Sequence, residues 1–383
     1  VMTKCAELAN LIGNINAGGG TGQNKNAIIN GAMNVAQRKT STTGLKNSGA
    51  IYTIDRFSYR RGGTWTNFDS KHEQVTITDS LPVSKGLHNA LRVTCTTAEG
   101  SVPSSDEATG IGYFLELRDL HRFGVGTANM KTMTLSFYVK ASIATTYGFT
   151  IIAGVHATPQ AVDIPFTVSS ANTYERISIT LPTYNVAFNT TFGNGLGWQL
   201  FWVLDGVASS RTASAWGDKG DDGMVLPNGV SATGFSNTLN ATFELTGVQL
   251  EVGQNPTELE HKPFAEELAL CKRYYCKSYD YGSLPGTANL SGAIYNRFNA
   301  SVSNRTDLGT RFPVNMRTIP DVTPYDLQGT VDKVSDCGTG VSHGSSISVS
   351  TVQNIGQNGF GGFTCGTTFD QLGGYHYEAD AEL

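Results

Sequence analysis

The chain is 383 residues long, with a formal net charge of −5, only 15 % charged residues and 44 glycines. That length calls for two or three domains, each able to bury its own core. The low charge excludes a phosphate-tracking groove, which needs concentrated Lys and Arg, and no apolar run reaches the roughly 18–20 residues that span a bilayer.

Residues 1–16 predict a short amphipathic helix with Leu8, Leu11, Ile12 and Ile15 on one stripe. Such a helix is marginal alone; its stripe can be buried around a threefold axis or against the next domain. Gly18, Gly19, Gly20 and Gly22 then form a flexible link without the spacing of a phosphate loop or a dinucleotide fingerprint. No signal peptide opens the chain, and the start at Val1 reads as internal, so an upstream portion is expected. From 26 to 262 short strand candidates recur: Ile51–Ser58, Gln74–Thr78, Ala90–Thr94, Gly112–Leu117, Thr132–Lys140, Phe149–Val155, Tyr174–Leu181, Gly197–Leu204 and Ala241–Glu251. Turns rich in Gly, Asn and Ser separate them, and no helix intervenes. That pattern predicts an antiparallel β-sandwich of jelly-roll type.

In Ala241–Glu251 strict alternation puts Phe243, Leu245, Gly247 and Gln249 on one face, and Thr242, Glu244, Thr246, Val248 and Leu250 on the other. A linking helix is expected over 263–278. Pro263 suits its first position, Glu266 and Glu267 its positive end, and Lys272 and Arg273 its negative end. Phe264, Leu268, Cys271 and Tyr275 recur at helical spacing and form its apolar stripe. Residues 279–383 then predict a smaller β-domain with a thin core, with strands at Ala293–Phe298, Gly309–Met316, Val322–Leu327, Ile347–Gln353, Gly359–Cys365 and Tyr375–Ala381. The expected organisation is therefore all-β: an N-terminal helix and linker (1–25), a jelly roll (26–262), a linking helix (263–278) and a C-terminal β-domain (279–383).

Several of these segments carry a resemblance. Thr246–Gly253 has the form T-G-V-Q-L-E-x-G, and Cys271–Tyr275 the form C-x-R-Y-Y, with Pro263–Phe264 and Glu267–Leu268 between them. Together with Asn26–Arg38, Tyr52–Phe57 and Asp380–Leu383, this series resembles the C-terminal parts of bacteriophage tail-fibre and related virion proteins. The resemblance implies that the sandwich is similar to a carbohydrate-binding module, with ligands held on loops or on a concave sheet face. It implies a homotrimer that contacts other tail or capsid proteins and is assembled in the host cytoplasm into a virion. The implied role is non-covalent recognition of host polysaccharide or lipopolysaccharide during adsorption, with no nucleic acid bound and no membrane insertion. The alternative is a purely structural part, such as a head fibre, a capsid decoration or a tail adaptor.

The chain carries no G-x-S-x-G elbow and no H-E-x-x-H pair, and its seven histidines are scattered; no enzymatic activity is expected. Sugars stack their apolar ring faces on aromatic side chains and satisfy hydroxyls with polar groups. Trp198 and Trp202 share a strand face with Leu200 and Leu204, which reads as core. Trp65 follows Tyr59, Arg60, Arg61, Gly62 and Gly63 in a turn-like stretch, and Trp216 sits in the loop Ala213–Asp222. Trp65, Trp216, Tyr59 and Arg61 are therefore the candidate glycan contacts. The run Asp218–Gly223 resembles an acidic calcium loop only loosely, because Gly220 and Gly229 stand where ligands belong. It reads as a solvated turn, with a structural Ca²⁺ as the alternative and no other cofactor expected. Asp55 and Arg56 are expected to form an ion pair that fixes strand register. The six cysteines read as buried free thiols, with Cys337–Cys365 as the one candidate disulfide.

Overall fold

Short strands rich in Val, Ile, Phe and Tyr each bury one face, and stacking two sheets covers those faces together. A computed structural model describes residues 25–45, 50–104, 106–154, 159–184, 186, 193–220, 223–297, 309–338, 343–365 and 372–383. The expected N-terminal helix falls outside them. The chain divides into two units. The first holds Thr40–Pro263, the stretch before Gln37 and the last residue, Leu383; the second holds Gln37–Lys39 and Phe264–Glu382.

The first unit is an antiparallel sandwich. One sheet runs in the order β1 (Ser41–Thr42), β4 (Asp69–Thr76), β5 (Asn89–Thr97), β13 (Thr242–Val252), β7 (Met133–Ala141), β10 (Glu175–Thr180). The other runs β12 (Gly217–Asp218), β9 (Gln160–Thr167), β8 (Thr146–Ala153), β11 (Leu196–Gly206), β6 (Ala108–Glu116), β3 (Phe57–Gly62), β2 (Ile51–Ile54). Between the sheets Trp202 is fully buried among Phe149, Phe137 and Phe57, with ring centroids at 5.2, 5.9 and 6.2 Å. A buried tryptophan of this kind contributes at most roughly 4–6 kcal/mol of transfer free energy.

Three departures from the sequence reading have local causes. The expected strand Ile51–Ser58 is a hairpin: Ile54 pairs with Phe57 across a turn of Asp55 and Arg56, and Arg56 takes φ 72°. Arg56 is buried, donates to the Phe114 carbonyl and lies 5.1 Å from the Tyr113 ring centroid. The turn therefore reverses the chain where the ion pair was expected to hold one strand in register. Strand β9 went unpredicted because Asp163 and Pro165 interrupt its pattern. Pro165 is tolerated there because β12 reaches only Gln160 and Ala161, leaving β9 as an edge beyond them.

The third departure is in β13, where the alternation breaks at Gly247. This glycine has φ 61°, and the pairing with β7 slips between Thr246 and Gln249. It is a β-bulge, which adds one residue and reverses the faces beyond it. Phe243 and Leu245 before the bulge, and Val248 and Leu250 after it, all enter the same core. The polar set reverses with them. Gln249 accepts from the Glu260 amide at 2.8 Å, and Glu251 accepts from the Thr257 amide and hydroxyl at 2.7 Å each. These bonds tie residues 257–260 to the sheet, so every position of T-G-V-Q-L-E is explained as framework.

In the second unit the helix spans Phe264–Lys272, and Tyr275, expected on its stripe, instead opens strand β14 (Tyr275–Lys277). The hub is β22 (Leu372–Asp380). It pairs with β14 and β15 (Ile294–Arg297) along one edge, and with β17 (Asp321–Tyr325) and β18 (Lys333–Gly338) along the other. Strand β18 went unpredicted and carries β19 (Ser345–Gln353), which pairs with β21 (Gly362–Cys365). The expected strand Gly309–Met316 shrinks to β16 (Thr310–Arg311), paired with β20 (Gly359–Phe360). The core is a cluster of rings, with Phe363 and Tyr375 edge-to-face at 4.7 Å. The ends of three resemblance segments meet within this unit: Gln37 donates to the Tyr275 carbonyl at 2.9 Å, and Arg38 lies 3.7 Å over the Tyr275 ring and 2.8 Å from Asp380. Cys337 and Cys365 are free and buried, as are Cys95, Cys271 and Cys276; no disulfide links the first pair.

Two outcomes are expected. Gly247→Ala forces a side chain into the left-handed region, with its Cβ 2.8 Å from Leu87 and Tyr138. It should cost about 1–3 kcal/mol, measured by thermal and denaturant unfolding; a neutral result would show that the bulge relaxes. His72 is wholly buried, neither ring nitrogen has a partner among the described residues, and burial lowers its pKa to about 3. The unfolded chain takes up that proton near pH 6.5, so stability falls as pH drops from there toward 3. His72→Leu should flatten this acid limb, and an unchanged limb would assign it to other groups.

Candidate functional site

Of the four residues expected to touch glycan, Tyr59, Arg61 and Trp65 are buried and Trp216 is partly buried. Tyr59 is fully buried on β3, its hydroxyl accepts from Thr109 at 2.8 Å, and burial pushes its pKa up. Arg61, two positions on, is also buried; it donates to the carbonyls of Phe68 at 2.9 Å and Leu45 at 3.3 Å, and desolvation lowers its pKa. Trp65 is 8 % exposed, donates to the Gly62 carbonyl at 2.7 Å and packs on Phe68 at 4.8 Å. Arg61 lies 5.5 Å from the Trp65 ring, so the structure brings these two together inside the turn they stabilise. Trp216 stands elsewhere, half-buried on Tyr184 at 4.4 Å and Trp198 at 5.9 Å, with its indole donating to the Pro182 carbonyl at 3.1 Å. Asp218 accepts from Gln160, while Asp221 and Asp222 lie outside the described residues.

The described outer faces of the sandwich are occupied. On the seven-stranded sheet, Met224, Leu226 and Pro227 from the excursion after β11 lie against Gly110 and Gly148, where a Cβ would meet Met224 Sδ at 2.6 Å and Pro227 Cδ at 2.8 Å. A buried pair anchors the excursion: Arg211 lies 2.8 Å from Asp163, which also accepts from Thr150 at 2.8 Å. Desolvation dominates there and raises the Asp163 pKa. On the six-stranded sheet, charges satisfy one another. Arg92 lies 2.7 Å from Glu244 and 3.9 Å from Glu73, and Lys71 lies 2.5 Å from Glu73. Neither patch offers a bare aromatic platform.

Exposed rings are found in the second unit. Phe264 is 47 % and Tyr281 39 % exposed, and their rings meet edge-to-face, centroids 5.4 Å apart at 87°. Helical spacing assigns Phe264 and Cys271 to one buried stripe; Cys271 is buried as expected, whereas Phe264 is exposed and Glu267 is buried in its stead. Tyr281 sits on the loop after β14, which also exposes Leu284 and Leu290. Three groups hold this loop. Lys277, itself buried, donates to the carbonyls of Gln37 at 2.6 Å, Tyr281 at 3.0 Å and Ser283 at 2.6 Å. Tyr279 stacks on His376 at 3.8 Å and 12°, and burial raises its pKa to about 12. His376 bonds through Nε2 to the Asn289 carbonyl and through Nδ1 to Ser278 Oγ, both at 3.0 Å. Because a carbonyl only accepts, Nε2 carries the proton and Nδ1 accepts from Ser278. The result is a right-angled apolar corner between the first residue of the helix and an anchored loop. The Tyr-Asp-Tyr-Gly run at 279–282 is the signal in the sequence that points to it.

No family model matches the chain, and no curated protein does. Among solved structures it is similar to the family 11 carbohydrate-binding module of cellulase Lic26A-Cel5E from Clostridium thermocellum, at 12 % identity and TM-score 0.27, covering 59 % of this chain and 99 % of that one. It is similar to the tailspike protein 4 enzymatically active domain of bacteriophage CBA120 at 12 % identity and TM-score 0.29, covering 60 % of this chain and 21 % of that one. A family 30 carbohydrate-binding module matches at 11 % identity and TM-score 0.25, over 60 % of this chain and 94 % of that one. These scores are low, and the jelly-roll assignment rests on the strand pairing described above.

The loop should respond to acid. Burial lowers the His376 pKa below its ordinary 6.5, so folding favours the neutral ring; the stability this gives is present above pH 6.5 and is lost as pH falls below it. Hydrogen exchange across 279–290, corrected for intrinsic rates, should accelerate between pH 7.5 and 5.5. His376→Gln should remove that dependence, and a pH-independent loop in the native chain would refute the coupling.

Proposed function

We propose that this chain is a receptor-binding, tail-fibre-type subunit of a bacteriophage virion, which recognises host-surface glycan non-covalently and without a chemical step. The observation that carries the reading is the Phe264–Tyr281 corner, two exposed rings on anchored backbone in a chain whose other large rings are mostly buried. The virion assignment is supported by the ordered series of segments from Asn26–Arg38 to Asp380–Leu383 that resembles tail-fibre proteins. We further propose a homotrimer, since three copies of one shallow corner would turn weak sugar contacts into avidity.

The second reading, a structural virion part without sugar affinity, is favoured by Leu284 at 49 % exposed on the same loop, because exposed aliphatic side chains suit subunit contacts. The two readings separate in one experiment. On a glycan array, and in adsorption to host envelope polysaccharide, Phe264→Ala with Tyr281→Ala should weaken binding roughly tenfold or more, given on the order of 1 kcal/mol lost with the apolar contact area of each ring. Trp65→Ala should instead lower the melting temperature. Native chain that binds no glycan, yet changes oligomeric state by light scattering when Leu284 is made Asp, would establish the structural reading.

A further inference from the structure

The C-terminal unit contains a cavity of about 300 Å³ lined by Gly309, Thr310, Arg311, Asn354, Gly359, Phe360 and Gly361. It is built where β16 and β20 pair. Thr310 points inward and bonds to the Tyr375 hydroxyl at 2.5 Å, so its neighbour Arg311 points outward and is exposed. The glycines are required by close approach. A Cβ on Gly359 would lie 2.0 Å from the Thr310 carbonyl oxygen, and one on Gly361 would lie 3.0 Å from Asn354 Nδ2. With no side chains on its three glycines, the hollow is lined by Thr310, Phe360 and two further polar residues, Arg311 and Asn354. Among the described residues Arg311 has no acidic partner, unlike Arg38, Arg92 and Arg211, each of which lies within salt-bridge distance of a carboxylate.

We infer that this cavity binds the carboxylate-bearing ring of an acidic saccharide, a uronic acid unit of a surface polysaccharide. The inference rests on the glycan-binding reading and adds a substrate class and a second contact point. Guanidinium is the side chain best matched to a carboxylate, since it donates two parallel hydrogen bonds to the two oxygens. Asn354 supplies a donor and an acceptor for ring hydroxyls, and the volume falls at the lower end of small-ligand sites. The chain's net charge of −5 gives no general attraction for a polyanion, so affinity for one has to come from a local, unpaired cation.

The test uses the full chain and ligand-observed NMR with glucuronate and galacturonate, their neutral counterparts glucose and galactose, and inorganic phosphate. Both or either uronate should bind at least roughly tenfold more tightly than its neutral sugar, the size expected of a charge-assisted pair. Arg311→Gln, an exposed substitution, should abolish that preference, and Arg311→Lys should restore part of it. Equal binding of acidic and neutral sugars, or a preference that survives Arg311→Gln, overturns the inference while leaving glycan binding at Phe264 and Tyr281 standing. Phosphate that displaces uronate at equal concentration makes this an anion site and overturns the saccharide assignment. Loss of all saccharide binding, on the array as well as in solution, removes both readings.

Discussion

One extra residue in β13 is the constraint on which the sandwich depends. That strand lies between β5 and β7 and supplies core residues along its whole length, and with strict alternation half of them would point outward. The bulge at Gly247 resolves this: the left-handed residue absorbs the slip, and Val248 and Leu250 return to the core that Phe243 and Leu245 entered from the other phase. The same slip presents Gln249 and Glu251 to the outer surface, where they bind the backbone at 257–260. Only glycine takes φ 61° without strain while admitting Leu87 and Tyr138 so closely. A glycine in the middle of an apolar strand is therefore a positional requirement here, not a weakness.

Much of the fold was legible because strands repeat with period two and turns are marked by Gly and Asn. What was missed has consistent causes. The bulge is invisible to a fixed-period reading, which assigns Val248 and Leu250 to the wrong face. Asp55 and Arg56 read as strand because Tyr52–Phe57 holds no Gly, Pro or Asn to mark a turn, yet Arg56 turns there with its guanidinium buried against Tyr113 and the Phe114 carbonyl. Strand β9 was hidden by Pro165 and by Asp163, whose charge pairs with Arg211 from a distant loop. Such a pair is set by tertiary structure and leaves no local pattern.

The candidate site was less legible, and the reason is also physical. In a chain rich in glycine and short turns, an aromatic residue beside a turn tends to close on its own loop. Trp65 donates to a carbonyl only three residues back and stacks on a ring three residues ahead. Turn composition therefore marks a local packing nucleus as readily as a contact surface. Phe264 misled in the opposite direction, because helical spacing placed it inside, whereas a nine-residue helix at the start of a unit has its first turn exposed. Burial, not residue type, separates the two cases, and burial is decided by elements far away in sequence.

The segments that carry the resemblance and the surface offered for binding then fall into different physical classes. Gln37, Arg38, Tyr275 and Asp380 contact one another and are fixed by those contacts; changing one disturbs its partners. Phe264, Tyr281 and Arg311 are exposed, and substitutions there leave the framework nearly untouched. Lys277 joins the classes. Buried beneath the loop, it holds the backbone of Tyr281 and Ser283 in place while leaving the ring of Tyr281 in solvent. A sugar contact worth little by itself gains most when the protein loses no further loop entropy on binding. An anchored loop meets that condition, since the framework fixes its backbone and its exposed side chains can be substituted without altering the fold.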